Sequence, residues 1–148
     1  MRWFKRGRAE DGAQLIEFAL VLPLLLLVVL GIAEFGFIFQ RYEVITNAAR
    51  EGARLAVLPG YTEPDIRPRV VTYLFNGRVP TTLTNPEVTV DYDVPIPVAG
   101  GRPPINATRV TVTYTYTFQF LNALRAFFGT RAAFQLIAVS EMRAEAGS

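Results

Sequence analysis

Between Phe18 and Phe39 the chain reads FALVLPLLLLVVLGIAEFGFIF, an apolar run that contains one charge, Glu34. At about 1.5 Å per residue a helix of this length crosses a hydrocarbon core of about 30 Å, whereas a buried core helix rarely needs more than about 10–14 apolar residues. The run therefore predicts a single membrane-crossing helix. A cleaved signal peptide is the competing reading, because Gly31-Ile32-Ala33 has small-x-small spacing. Two features oppose it. The run already fills the upper limit of a signal-peptide core, about 7–15 residues, and its apolarity continues through Phe35, Phe37, Ile38 and Phe39.

With 148 residues in all, the chain has room for one anchor and one small domain. The predicted division is a basic leader over 1–12, a membrane helix over 13–39 and an outer α+β domain over 40–148. Arg2, Lys5, Arg6 and Arg8 precede the span and place the N-terminus in the cytoplasm, while Arg41, Arg50 and Arg54 beyond it reduce the asymmetry. Removing those four bases and the two acids of the leader, Glu10 and Asp11, from totals of fifteen and thirteen leaves eleven of each. The net positive charge is thus a property of the leader. No basic stripe or RNA-binding motif follows it, so nucleic acid is not an expected partner. The sequence contains neither Cys nor His. Disulfides, thiolate metal sites and the commonest general base are excluded together. No nucleophile-base constellation, phosphate loop or metal spacing is present, and the expectation is a protein without enzymatic activity, cofactor or small-molecule substrate.

A carboxylate inside a bilayer costs about 2.5–3.5 kcal/mol on insertion scales, so Glu17 and Glu34 each require an account. They are roughly 25 Å apart along a helix, one near each interface. Glu34 reads as an interfacial side chain reaching toward headgroups. Pro23 removes the helical bond to Ala19, which membrane helices tolerate, and is assigned no function.

The stretch Arg8-Ala9-Glu10-Asp11-Gly12-Ala13-Gln14-Leu15-Ile16-Glu17-Phe18 combines a basic leader, a Gly, an acid five residues later and an apolar run. Gly12 lets a protease approach the backbone closely. Ala13 and Glu17 stand at i and i+4, so a freed α-amine and this carboxylate share a helix face. Otherwise Glu17 is a helix-start acid that favours the dipole. This stretch resembles the processing site of type IV pilins, especially the Tad (Flp) branch. Ala49-Arg50-Glu51-Gly52-Ala53-Arg54 and Ser140-Glu141-Met142-Arg143-Ala144-Glu145 resemble stretches of TadE-like proteins. The resemblance implies cleavage by a prepilin peptidase between Gly12 and Ala13, and an assembly role for Glu17 and Phe18. It implies other pilin-like subunits, the pilus assembly machinery and membrane lipid as partners. Phe18 stands where the major Flp pilins usually have Tyr, and about a hundred residues follow the anchor. The resemblance therefore implies a minor pilin or pseudopilin in the bacterial cytoplasmic membrane, with its outer domain extracytoplasmic. The alternative is a permanently anchored envelope protein whose outer domain is an interaction module or secretion scaffold.

Beyond the span, Gln40 to Leu58 extends the helix to a stop at Pro59-Gly60, giving one rod of roughly 65 Å. Ala48, Gly52 and Ala56 repeat at i, i+4 and i+8 as a small-residue packing face, for this protein's own sheet or for another subunit. Thr62-Glu63-Pro64-Asp65 starts a second helix that ends at Asn76-Gly77. A Pro- and Thr-rich connector spans Val79 to Pro86. Strands follow over Glu87–Tyr92, Arg109–Phe118 and Phe134–Met142, and Leu121 to Phe128 is a short helix or loop. Val110, Val112, Tyr114, Tyr116 and Phe118 face one way, as core in preference to a ligand platform. Asp91 and Asp93 share a strand face, a weak cation pair. Asn106-Ala107-Thr108 reads as a turn before a strand.

Overall fold

The computed structural model describes residues 6–82, 84–100, 103–120, 122 and 133–143. Among these residues there are five elements in chain order: α1 (Arg6–Ala56), α2 (Glu63–Asn76), β1 (Glu87–Ile96), β2 (Ile105–Thr117) and β3 (Ala133–Met142). The three strands form an antiparallel sheet in the order β1-β2-β3. The fold is α+β, a long apolar helix leading into a small sheet domain, as the sequence predicts.

α1 is continuous for 51 residues and passes through Pro23. It leaves the helix at Ala56, where Leu58 N–H donates to Leu55 O at 3.0 Å. α2 starts where the capping signal puts it. The Asp65 carboxylate accepts from the Thr62 backbone N–H at 2.9 Å and from its hydroxyl at 2.8 Å. Those two donors hold the Asp65 carboxyl below its ordinary pKa. At the other end Gly77 is not the residue in the left-handed region; that is Arg78, at φ 59°. Gly77 serves close approach instead, since a Cβ there would collide with the Val44 side chain of α1.

The core lies between one face of the sheet and both helices. Val110, Val112, Tyr114 and Tyr116 of β2 alternate inward with Leu136 and Ala138 of β3, and meet Ile45, Ala48, Ala49 and Ala53 of α1 and Ile66, Val70 and Leu74 of α2. The Tyr row is core, with Phe118 packed at its margin just beyond the strand. On the outer face the intervening positions are Thr111, Thr113 and Thr115, beside exposed Ile137 and Val139.

Two local expectations are corrected. Asp91 and Asp93 do not share a regular face. Register advances from Asp91↔Arg109 to Val94↔Ala107, so β1 carries an extra residue, and Asp93 sits there at φ 57°. Such a bulge breaks period-two alternation, and Asp is among the few residues that adopt this conformation readily. Asn106-Ala107-Thr108 is not a turn. β1 continues past the bulge to Ile96 and pairs with Ile105–Ala107, drawing the tripeptide into β2. The connector before β1 is clipped to β2 by one side chain: Asn85 Oδ1 accepts from Thr115 N–H and Asn85 Nδ2 donates to Thr115 O, both at 2.9 Å. Leu121 to Phe128, apart from Asn122, and Ala144-Glu145 lie outside the described residues.

Candidate functional site

The residues singled out by sequence lie on α1, in three places. The first is the leader junction. Gly12 is inside the helix, and a Cβ built on it meets nothing within 4 Å. Ala13, Glu17 and Phe18 follow it, all exposed. From there to Val29 the apolar side chains are open on every side, and the most apolar 18-residue window of the helix, with a mean hydropathy of 2.8, has none of its residues buried. Among the described residues this one helix is long and apolar enough to cross a membrane.

The second place is the small-residue face. Ala48 is buried, Gly52 has no room for a side chain and Ala56 is nearly enclosed. A Cβ on Gly52 would stand 2.8 Å from Val70 Cγ2 and 3.2 Å from Val110 Cγ1. The face therefore meets this chain's own α2 and β2. The charged residues interleaved with it tie α1 to α2 from the surface. Glu51 accepts from Arg54 Nε at 3.0 Å and from Arg69 NH2 at 2.9 Å. Hydrogen bonding to Arg54 first, and then to Arg69, outweighs partial burial and holds the Glu51 carboxyl at about 2.

The third place overturns an expectation. Glu34 is not an interfacial side chain reaching toward headgroups: it is 1% exposed and enclosed by the sheet domain. Its Oε1 accepts from the Tyr116 hydroxyl at 2.5 Å and from Gln119 N–H at 2.7 Å, and its Oε2 accepts from Phe120 N–H at 2.7 Å. Burying a carboxylate is tolerable only with such partners. Here the chain just beyond β2 supplies two backbone donors. Burial, and next the adjacent carboxylate, push the Tyr116 hydroxyl above its ordinary pKa, so it remains a donor. Arg41, also buried, lies over the Tyr116 ring with Cζ 4.9 Å from the centroid. Phe118 and Phe134 close around the same ring, at centroid distances of 5.7 and 5.5 Å, and Phe37 touches Phe120 at 5.8 Å.

A periodic signal for this burial was present. Stepping back from Ala56 through Gly52 and Ala48 by threes and fours reaches Ile45, Arg41, Ile38 and Glu34. Of these, Ile38 is half-buried and the others are buried. The expected packing face stopped at Ala48 because charged residues are poor candidates for a buried stripe. Among the described residues no group of three or more acids gathers as a metal site.

The TadE-like protein family model matches residues 12–54, from the glycine of the leader junction through the last residue of the AREGAR stretch. The match agrees with the resemblance read from the motifs, and the matched segment holds the apolar length of α1 that is long enough to cross a membrane. No curated protein and no solved structure matches the chain.

Proposed function

We propose that this chain is a minor pilin-like structural subunit of a Tad-type pilus assembly system. It is anchored in the cytoplasmic membrane by the first part of α1, with its leader inside and its sheet domain outside. The observation that carries this reading is the division of α1. The part within the family match that precedes Glu34 is apolar and uncovered, while the part after it is bound into the chain's own domain. An uncovered apolar helix is stable in lipid, or against other helices of the same kind once a subunit leaves the bilayer.

In this reading prepilin peptidase cuts between Gly12 and Ala13. The freed α-amine, with an ordinary pKa of about 7.7–8.0, is largely cationic at neutral pH. Glu17 supplies its counter-charge, within the subunit or to a neighbouring amine, which offsets the desolvation of both. No chemical step belongs to this chain. Its work is packing, and its partners are other pilin-like subunits and the assembly machinery.

Mass spectrometry of the membrane-bound protein tests the cut: a mature terminus at Ala13 supports the subunit reading. Gly12→Leu should leave the leader attached without disturbing the fold, because that position is open. Glu17→Ala should still be cut yet be lost from sheared surface fractions. The second reading is a permanently anchored interaction protein, favoured by the fact that α1 runs unbroken through Gly12, a conformation a protease must open. A chain that keeps Met1 to Gly12 in a cell with active peptidase selects that reading.

A further inference from the structure

The level of the membrane on α1 fixes the level of the sheet domain, because the two are joined at Glu34 and Phe37. The apolar stretch of α1 from Leu15 to Phe39, whose only charged residues are Glu17 and Glu34, has its centre at Leu27. A core of about 30 Å accommodates about ten residues on either side of that centre, which places its edges near Glu17 and Phe37. Glu34 then lies about 4–5 Å inside the outer edge, at three residues' rise. Its bonding partners reach the same depth. Gln119 and Phe120 N–H donate directly to its carboxylate, and the Phe120 ring lies against Phe37.

We propose that the end of the sheet domain formed by Phe118, Gln119 and Phe120 is itself immersed in the outer leaflet, where it contacts lipid at the boundary between acyl chains and headgroups. This inference rests on the membrane-anchor reading above. The distribution of side chains around that level supports lipid as the occupant. Phe35, Phe37 and Phe39 remain exposed on the helix, followed by Tyr42, half-exposed, at the height expected of headgroups. Phe120 stands on the domain against Phe37, and Phe118 packs on the Tyr116 ring whose hydroxyl reaches Glu34; both are only partly covered. Aromatic rings from two separate elements thus lie at one depth on the continuation of the membrane-crossing surface. The arrangement also explains how Glu34 is tolerated there: the domain brings a hydroxyl and two backbone N–H groups down to it, in place of water.

Fluorescence quenching in the full chain tests the inference. Trp3, the chain's single Trp, is replaced by Phe, and a new Trp is introduced in turn as Phe118→Trp, Gln119→Trp and Leu25→Trp. Each protein is placed in phosphatidylethanolamine and phosphatidylglycerol vesicles that contain lipids brominated near the headgroup or deep in the acyl chain. Gln119→Trp keeps the backbone donor to Glu34 and leaves the Phe118 ring contacts untouched, so it guards against misfolding of the first variant. Leu25→Trp should lose most of its emission to the deep bromines. Phe118→Trp and Gln119→Trp should lose most of theirs to the shallow bromines and little to aqueous iodide. If both domain probes are quenched by iodide alone while Leu25→Trp responds to bromine, the domain end stands in water and the inference is overturned with the anchor intact. Shielding of both probes from lipid and iodide overturns it in favour of cover by a second copy. An unquenched Leu25→Trp overturns the anchor itself.

Discussion

The two lengths of α1, before and after Glu34, are one helix with one set of backbone bonds, yet their side chains obey different rules. In the first, Leu, Val and Ile occur on every face and no face is covered. In the second, buried positions recur every three or four residues, small residues mark the closest approach, and the exposed positions carry Glu43, Asn47, Arg50 and Arg54. A lipid solvent is the same in all directions and imposes no face. Water on one side and a sheet on the other impose a stripe. The uniform pattern becomes periodic at Glu34, where the cover of the sheet domain begins, just inside the outer edge of the span.

Matched substitutions in the two lengths sharpen this contrast, with thermal unfolding of the sheet domain in detergent as the measurement. Glu34→Ala leaves the Tyr116 hydroxyl and two backbone N–H groups without their acceptor, and should destabilise the domain by about 3–4 kcal/mol. Glu17→Ala should leave the unfolding temperature unchanged, because Glu17 is exposed. Equal effects at the two acids would break the comparison. Next in size, Gly52→Leu drives a side chain into Val70 and Val110 and should cost about 3 kcal/mol. Gly31→Leu, where a Cβ meets nothing within 4 Å, should cost the domain nothing. A smaller loss than at Gly52 is expected at Glu51→Gln, about 1 kcal/mol at neutral pH because both arginines are more than half exposed. Its sign with pH is fixed. The Glu51 carboxyl is held at about 2, below its ordinary 4.5, so the wild-type advantage is complete above about pH 4.5 and disappears as pH falls through 2. An advantage that grows in acid would contradict the ion pair.

Much of the fold is legible in local pattern. The Thr62-Asp65 pair marks the start of α2, and the alternation of Val110, Val112, Tyr114 and Tyr116 gives both the strand and its buried face. Each of these signals is complete within a few residues. What escaped depends on partners distant in sequence. Glu34 is bonded by residues 82 to 86 positions away, and nothing in the apolar run announces them. The bulge at Asp93 follows from pairing with β2, and Asn85 finds Thr115 thirty residues on. The proposed cut between Gly12 and Ala13, with Glu17 beyond it, rests on a string just as local.

The unbroken helix also sets an angle. Glu17 and Glu34 are seventeen residues apart, which at about 100° per residue falls about 100° short of five full turns. The side of α1 that carries the first acid is thus roughly a quarter turn from the side that carries the sheet. Copies gathered around their Glu17 faces would hold their sheets tangentially, like vanes on a shaft. Insertion of a single alanine between the two acids would swing every vane by about 100° and raise it about 1.5 Å, changing the outer surface of an assembly without altering a residue on it.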